Sequence, residues 1–392
     1  MRVFDPRPGE PSARTRARVW MRRSVGQVAR GWLAASSESR HGQDPPDLLR
    51  SRSILVVHLF GLGDVTHALP FFHELRRLAP EASIGAIVRP EPWNAFSHLG
   101  CVDHWIRAGN RREARSAARW FRRVVGGELD LGLLPFTGLA SGWAMVAARP
   151  RHWAGHALDL SVTSNYRFDP TRLSRVRHPR QMALDVLRTM VEVEDRELSR
   201  IPVPSVAIAR AEGIWSSAGW GRGPVVGMNP GSRVLSRRWP AARWADLAVR
   251  LYRGAGVRTV WMGAASDRAA CAKASGLAAH QGVETHDMSG ATDLHTWMGL
   301  VQRMDGFVSV DAGPLHLARA VGVPTVGLFG PVDAGLRAWS GTGHIDLQAT
   351  GMQCRPCHRE EWSPGCAEPP CLRDIDVEEV ARSVLRQLAL AA

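Results

Sequence analysis

The stretch Phe307-Val-Ser-Val-Asp311-Ala-Gly-Pro-Leu-His316, followed by Thr325-Val-Gly-Leu-Phe-Gly330 and Pro331, decides how the chain is read. The first run is an apolar strand that ends in Asp311. A Gly-Pro turn follows, and a helix is predicted from near Pro314, because proline suits the first turn of a helix. The second run is another apolar strand. Strand, helix and strand form a parallel unit whose ligand crevice lies beyond the strand C-termini. The backbone N–H groups and positive helix end at such a turn suit a phosphate. The same turn also serves as a tight crossover with a buried, N-capping Asp311. The segment alone leaves both roles open.

Working outward, the alternation continues in both directions. Toward the C-terminus, 376–391 reads as a terminal helix. Upstream, strands are predicted at 224–228 and 258–263, with helices at 241–253, 266–279 and 293–304. A second alternation occupies the first half. Ile54-Leu-Val-Val-His-Leu59 reads as a buried parallel strand, Gly61-Leu-Gly63-Asp64 as a turn and Val65–Leu78 as a helix. Strands at 83–88 and 129–135 and helices at 111–125 and 180–193 complete it. Strands alternating with helices imply an α/β protein with parallel sheets. The expected organisation is a basic, largely disordered extension over 1–52, a Rossmann-like domain over 53–200 and a connection over 201–223. A second Rossmann-like domain over 224–375 and a closing helix over 376–392 follow. Two such layers fit a cleft between paired domains.

Composition narrows the partners. The net charge is +13 and the pI about 10.9, with Lys273 the sole lysine, so arginine carries nearly all the positive charge. Such an excess favours nucleotides, lipid phosphates or a membrane surface. No helix-turn-helix, ribonucleoprotein or zinc-finger pattern supports nucleic acid. Val25, Val28, Ala29, Trp32 and Leu33 follow helical spacing beside Arg22, Arg23 and Arg30. That pattern suits either a basic amphipathic helix on an anionic membrane or a short helix packed on the body. No apolar run reaches the length of a membrane span, and no signal peptide is legible. The expected location is cytoplasmic, with peripheral contact at the inner membrane.

Three strand ends carry polar turns. After the first strand, Gly61-Leu-Gly63-Asp64 lacks the third glycine of a dinucleotide fingerprint. Asp64 can cap the following helix, or accept a proton from a substrate hydroxyl. After the strand at 224–228 comes Asn229-Pro-Gly-Ser-Arg-Val-Leu-Ser-Arg-Arg-Trp-Pro240. Ser232, Arg237 and Arg238 there are candidate diphosphate ligands, since a guanidinium matches phosphate oxygens as a planar fork. An ordinary solvated basic loop is the alternative. At the third end, the amides of Ala312 to Leu315 can hold the same diphosphate. His316 can bond a phosphate or sugar hydroxyl, or pack against Trp297.

These motifs resemble those of glycosyltransferase family 9, the lipopolysaccharide heptosyltransferases. The resemblance rests on Gly63-Asp64-Val-Thr-His-Ala-Leu-Pro70, on Pro230-Gly-Ser through Arg237-Arg-Trp-Pro240, and on Ser309-Val-Asp311-Ala-Gly-Pro-Leu-His316 with Leu328-Phe-Gly-Pro331. It spans roughly 53–390. It implies a GT-B fold, two Rossmann-like domains with parallel sheets facing a central cleft. It also implies an ADP-heptose donor bound by the C-terminal domain through Ser232, Arg237, Arg238, Asp311, Ala312, Gly313, Pro314 and His316. A lipid-linked saccharide acceptor would meet the N-terminal domain near Gly63 and His67, with Asp64 as catalytic base. The family commonly has lysine where this chain has Arg237. Direct displacement would invert the anomeric centre, and no Asp-x-Asp metal motif lies near these turns, so no cofactor is expected for transfer.

Cys354, Cys357, Cys366 and Cys371 form a cluster that can hold structural zinc or iron; the alternatives are free thiols or a disulfide-linked loop. Cys101 and Cys271 read as core residues. Trp93, Trp105 and Trp120 can line an acceptor groove, although filling core and rim is the commoner use of tryptophan. Two other readings stand beside glycosyl transfer: a nucleotide-sugar epimerase of the same architecture, and a non-enzymatic nucleotide-binding protein at the membrane.

Overall fold

The structure is a computed structural model describing residues 47–391 apart from 137, 157–161, 165–177, 197–199, 222, 338, 340–342 and 353–369. The segment read as a basic amphipathic helix, and Cys354, Cys357 and Cys366, lie outside the described residues. The chain divides into two compact units at residues 198/199.

The first unit runs β1 (Ser53–His58), α1 (Leu62–Leu78), β2 (Ser83–Val88), α2 (Pro90–Phe96), β3 (His104–Arg107), α3 (Arg111–Val124), β4 (Leu131–Leu134), α4 (Leu139–Ala148), β5 (His152–His156), β6 (Val162–Ser164) and α5 (Pro179–Arg188). Its sheet has the order β3-β2-β1-β4-β5-β6, parallel except for the β5–β6 pair. Every residue of β1 is buried, as the apolar run Ile54-Leu-Val-Val requires of a strand covered on both faces. Helix α3 packs against that sheet through Ala114, Ala118 and Phe121. Gly85 of β2 permits the close approach: a Cβ there would stand 2.5 Å from the Phe121 ring. Helix α1 is longer than its pattern suggested and runs through Pro70, which carries no N–H for the ladder.

The second unit holds α6 (Ser205–Ser217), β7 (Val225–Asn229), α7 (Ala241–Ala255), β8 (Arg258–Trp261), α8 (Arg268–His280), β9 (His286–Asp287), α9 (Leu294–Gln302), β10 (Gly306–Val310), α10 (Gly313–Ala320), β11 (Thr325–Phe329), β12 (His344–Gln348), α11 (Pro370–Arg373) and α12 (Val377–Ala391). Its sheet, β12-β11-β10-β7-β8-β9, is parallel throughout. Read from the β9 edge it repeats the strand order of the first sheet. The stretch 201–223, read from sequence as a connection, contains α6, which packs on α9. Ile201 N–H donates to the Ala320 carbonyl at 2.9 Å, tying its start to the end of α10. The core combines Val226, Met228, Val308, Val310, Val326 and Leu328 from the strands with Trp244 and Leu247 from α7 and Val380 from α12. Burying each such side chain stabilises by about 1.5–3 kcal/mol, so the central strands anchor the turns at their ends.

In both sheets the strand order reverses beside the first strand of the unit: between β1 and β4, and between β7 and β10. Parallel topology makes that switch point a crevice at the strand C-termini, where loops diverge to opposite faces. Both polar turns of the second unit, and the Asp64 turn of the first, start there.

Candidate active site

In the second unit, β10 and β7 pair with Ser309 opposite Asn229. The turns after these strands are therefore neighbours, although they lie about eighty residues apart in sequence. Asp311 and Arg237 meet across that gap. The Arg237 guanidinium lies 3.0 Å from Asp311 Oδ2 and donates to the Asp311 carbonyl at 3.3 Å. His316, one turn into α10, donates from Nε2 to Asp311 Oδ1 at 3.3 Å. Asp311 and His316 are 4% and 3% exposed. Burial alone would raise the Asp311 carboxyl. The Arg237 charge and the His316 hydrogen bond outweigh it and hold the group well below the usual carboxylate range. Burial lowers the His316 pKa, so a neutral imidazole donates to an ionised carboxylate.

Neither Asp311 nor His316 is thus presented to solvent. They lock Arg237, whose side chain keeps 17% of its exposure and whose Nε has no hydrogen-bond partner among the described residues. Asn229 at the end of β7 is similar: its Oδ1 accepts from Gly231 N–H at 3.0 Å, while its Nδ2 is buried and unpaired among the described residues. Gly231 lies so close to Asp267 that a Cβ would stand 2.2 Å from that carboxylate. Ser232 is buried; its Oγ accepts from Val234 N–H at 3.2 Å, and its carbonyl accepts from Arg238 Nε at 2.8 Å. These bonds shape the loop that carries the two arginines.

At the head of α10, Ala312 is the N-cap in extended conformation, with Gly313 and Pro314 opening the helix. The expectation of open amides from Ala312 to Leu315 needs trimming. Pro314 has no N–H, and Leu315 N–H donates to the Ala312 carbonyl at 3.0 Å. Arg337, just after the turn Ala334–Leu336, adds positive charge felt by both Asp311 and His316. Sequence reading passed over Arg337. Its one signal was its position soon after the β11 strand end.

In the first unit, Asp64 is the third residue of α1, and its carboxylate accepts from Gly61 N–H at 3.2 Å. The cap holds a half-buried carboxylate at the switch-point edge of the sheet. Gly63 sits beside it in the same turn. His67 is 2% exposed, with its ring edge-on to His178 at 5.1 Å, inside the packing of α1 against α5. Helical periodicity turns the residue three past Asp64 toward that neighbour.

His58, the last residue of β1, went unnoticed in the sequence because it ends an apolar strand. It is fully buried between Phe60 and Phe136, and neither ring nitrogen has a hydrogen-bond partner among the described residues. Burial pushes its pKa down to about 4, with the Asp64 charge opposing the shift.

Trp93 and Trp105 donate their indole N–H groups to backbone carbonyls of Trp105 and Leu99, whereas Trp120 stands 46% exposed on α3. Cys101 and Cys271 are buried thiols pushed up to about 12 by burial. Cys371 is buried in α11, close to Gly330 at the end of β11.

The structure resembles solved proteins of this architecture. A glycosyltransferase family 9 protein from Veillonella parvula has a TM-score of 0.72 at 22% identity, covering 88% of this chain and 99% of that one. An E. coli ADP-heptose lipopolysaccharide heptosyltransferase II has 0.67 at 20%, covering 86% and 99%. Two doubly wound units with this likeness define a GT-B fold. Residues 185–366 match the profile of "Glycosyltransferase family 9 (heptosyltransferase)", and 153 residues are 34% identical to lipopolysaccharide heptosyltransferase 1 of Pseudomonas aeruginosa. That alignment covers 39% of this chain and 40% of the Pseudomonas enzyme. The profile match lies mostly in the second unit and covers less than half of the chain.

Proposed function

We propose that the protein is an inverting glycosyltransferase. It moves a sugar, heptose from an ADP-heptose donor being the leading choice, onto a lipopolysaccharide core or related glycolipid. The observation that carries the reading is the locked guanidinium of Arg237 at the switch point of the second sheet, with unpaired donors at Arg237 Nε and Asn229 Nδ2. A charged donor pre-set in a buried frame suits the negative charge that builds on a leaving diphosphate.

The reaction then balances as follows. The acceptor hydroxyl oxygen bonds to the anomeric carbon, and its proton passes to the Asp64 carboxylate. The bond from that carbon to the diphosphate oxygen breaks, and its electron pair leaves with the diphosphate. Arg237, Arg238 and the Gly313 amide stabilise that charge. Ser232 shapes the loop that presents the arginines, and Asp311 and His316 keep Arg237 in place. Transfer proceeds without a metal in this scheme, and a zinc or iron at the four cysteines would be structural. The acceptor being lipid-linked, the protein works at the cytoplasmic side of the inner membrane, in peripheral contact with anionic lipid. Among the described residues no helix is long and apolar enough to cross a membrane.

Binding of ADP-, UDP- and GDP-sugars followed by a transfer assay with the best donor tests the proposal. Transfer needs both donor and acceptor, and chelator should leave the rate unchanged. Turnover of the nucleotide-sugar alone would instead mark an epimerase.

A further inference from the structure

Helix α3 carries a surface that the site above does not use. Its sequence, Arg111-Arg-Glu-Ala-Arg-Ser-Ala-Ala-Arg-Trp-Phe-Arg-Arg-Val124, places six arginines against one glutamate. The glutamate is already engaged: Glu113 accepts from Gly109 N–H at 2.7 Å and from the Asn110 side chain. Ala114, Ala118 and Phe121 face the sheet. At 100° per residue the opposite pole then holds Arg112, Arg119 and Arg123. None of the three has an ion pair among the described residues; Arg119 reaches only Ser116 Oγ, at 3.4 Å. Beside this pole, one turn apart, Trp120 and Val124 are 46% and 45% exposed.

We propose that this outward face of α3 docks on an anionic phospholipid bilayer. The charge is complementary to such a surface, and Arg112, Arg119 and Arg123 have no counter-charge paired with them among the described residues. A polybasic face gains about fivefold in affinity per arginine near an anionic leaflet. The apolar pair decides between occupants. A nucleic acid would use the guanidiniums and could stack on Trp120, but Val124 offers it nothing. At the boundary between headgroups and acyl chains, an indole and a valine beside arginines are what an interfacial helix presents. The inference rests on the reading above in one respect, that the acceptor is lipid-linked.

The test is co-sedimentation of the full chain with mixed phosphatidylglycerol–phosphatidylcholine vesicles and with pure phosphatidylcholine vesicles, at low and high salt. Wild-type protein should bind the mixed vesicles only, more weakly as salt rises. Replacing Arg112, Arg119 and Arg123 together by serine should weaken binding about a hundredfold. Trp120→Ser with Val124→Ser should weaken it with the salt dependence kept. All five positions lie on the exposed face, and thermal melts confirm that the variants fold. Unchanged vesicle binding by the arginine variant overturns the proposal, as does loss of binding only when Arg22, Arg23 and Arg30 are replaced. Binding to RNA or an acidic protein in place of vesicles overturns it too. A second arm separates the two readings. The arginine variant should transfer normally to acceptor dispersed in detergent and poorly to acceptor in mixed vesicles. If no acceptor is glycosylated by wild-type protein yet vesicle binding still depends on α3, the transferase reading fails and the docking surface stands.

Discussion

The two units share one strand order and put opposite chemistry at the same place. At the switch point of the first sheet stands a half-buried carboxylate, Asp64, which accepts from the Gly61 N–H in its own turn. At that of the second stands a guanidinium, Arg237, clamped by a buried carboxylate that is itself supported by a histidine. Topology alone accounts for the location of both. What differs is how each is held. A group that must take up a proton needs access and a carboxylate able to change charge. A group that must meet a departing anion gains by being fixed in advance, because reorganisation would subtract from its effect. On the proposed mechanism, Asp64 would be the group that changes charge and Arg237 the group fixed in advance.

The most severe test of that comparison is Asp64→Asn. Turnover should fall by about 10²–10⁴, while donor affinity measured by calorimetry stays the same. Wild-type turnover in this variant would remove Asp64 from the mechanism. Arg237→Met comes next. Loss of a preorganised donor should lower turnover by about 10²–10³. It also strands the buried Asp311 carboxylate, costing about 3–5 kcal/mol in denaturant stability. Arg237→Lys retains the charge and should recover most of both; equal damage from the two substitutions would mean that shape, not charge, is what Arg237 supplies.

The smallest effect concerns the first unit and pH. His58 has a folded-state pKa of about 4 against an ordinary value of 6.5, so on acidification the unfolded chain takes up the proton first. Its contribution to stability is complete above pH 6.5 and drains away as pH falls toward 4, by roughly 3 kcal/mol in all. Denaturant melts of His58→Phe should lose that part of the slope. An unaltered slope would show that another group governs the acid side. Asp311, whose folded-state pKa is depressed, contributes its stability in full above the ordinary carboxylate value of 3.8 and loses it only as pH falls below that value.

Legibility followed burial on both faces. The strands at 83–88 and 306–310 were read within a residue or so, because continuous apolar runs bounded by turns leave little choice. Short or polar elements escaped. Strand β3, His-Trp-Ile-Arg, has no apolar run, and β12 alternates at an edge beside β11 only. Helix α6 hid behind the Pro-Val-Pro that precedes it, which read as a connection. Of the site residues, Arg237, Asp311 and Gly63 were visible as strand-end chemistry. His67 was also singled out, and folding buried it. His58, which feels the Asp64 charge, was concealed in an apolar strand.

Spacing along the chain was enough to establish two α/β layers and the turns that carry polar groups, since strand periodicity and glycine–proline punctuation are local properties. Which turns become neighbours was not local. Hydrogen bonding of β10 to β7 joins Asp311 to Arg237 across 74 residues, and only that pairing turned two arginines in a loop into one locked cation and one loop brace. The physical reason is that a buried carboxylate must find its counter-charge in space, and sequence distance carries no information about which one it finds.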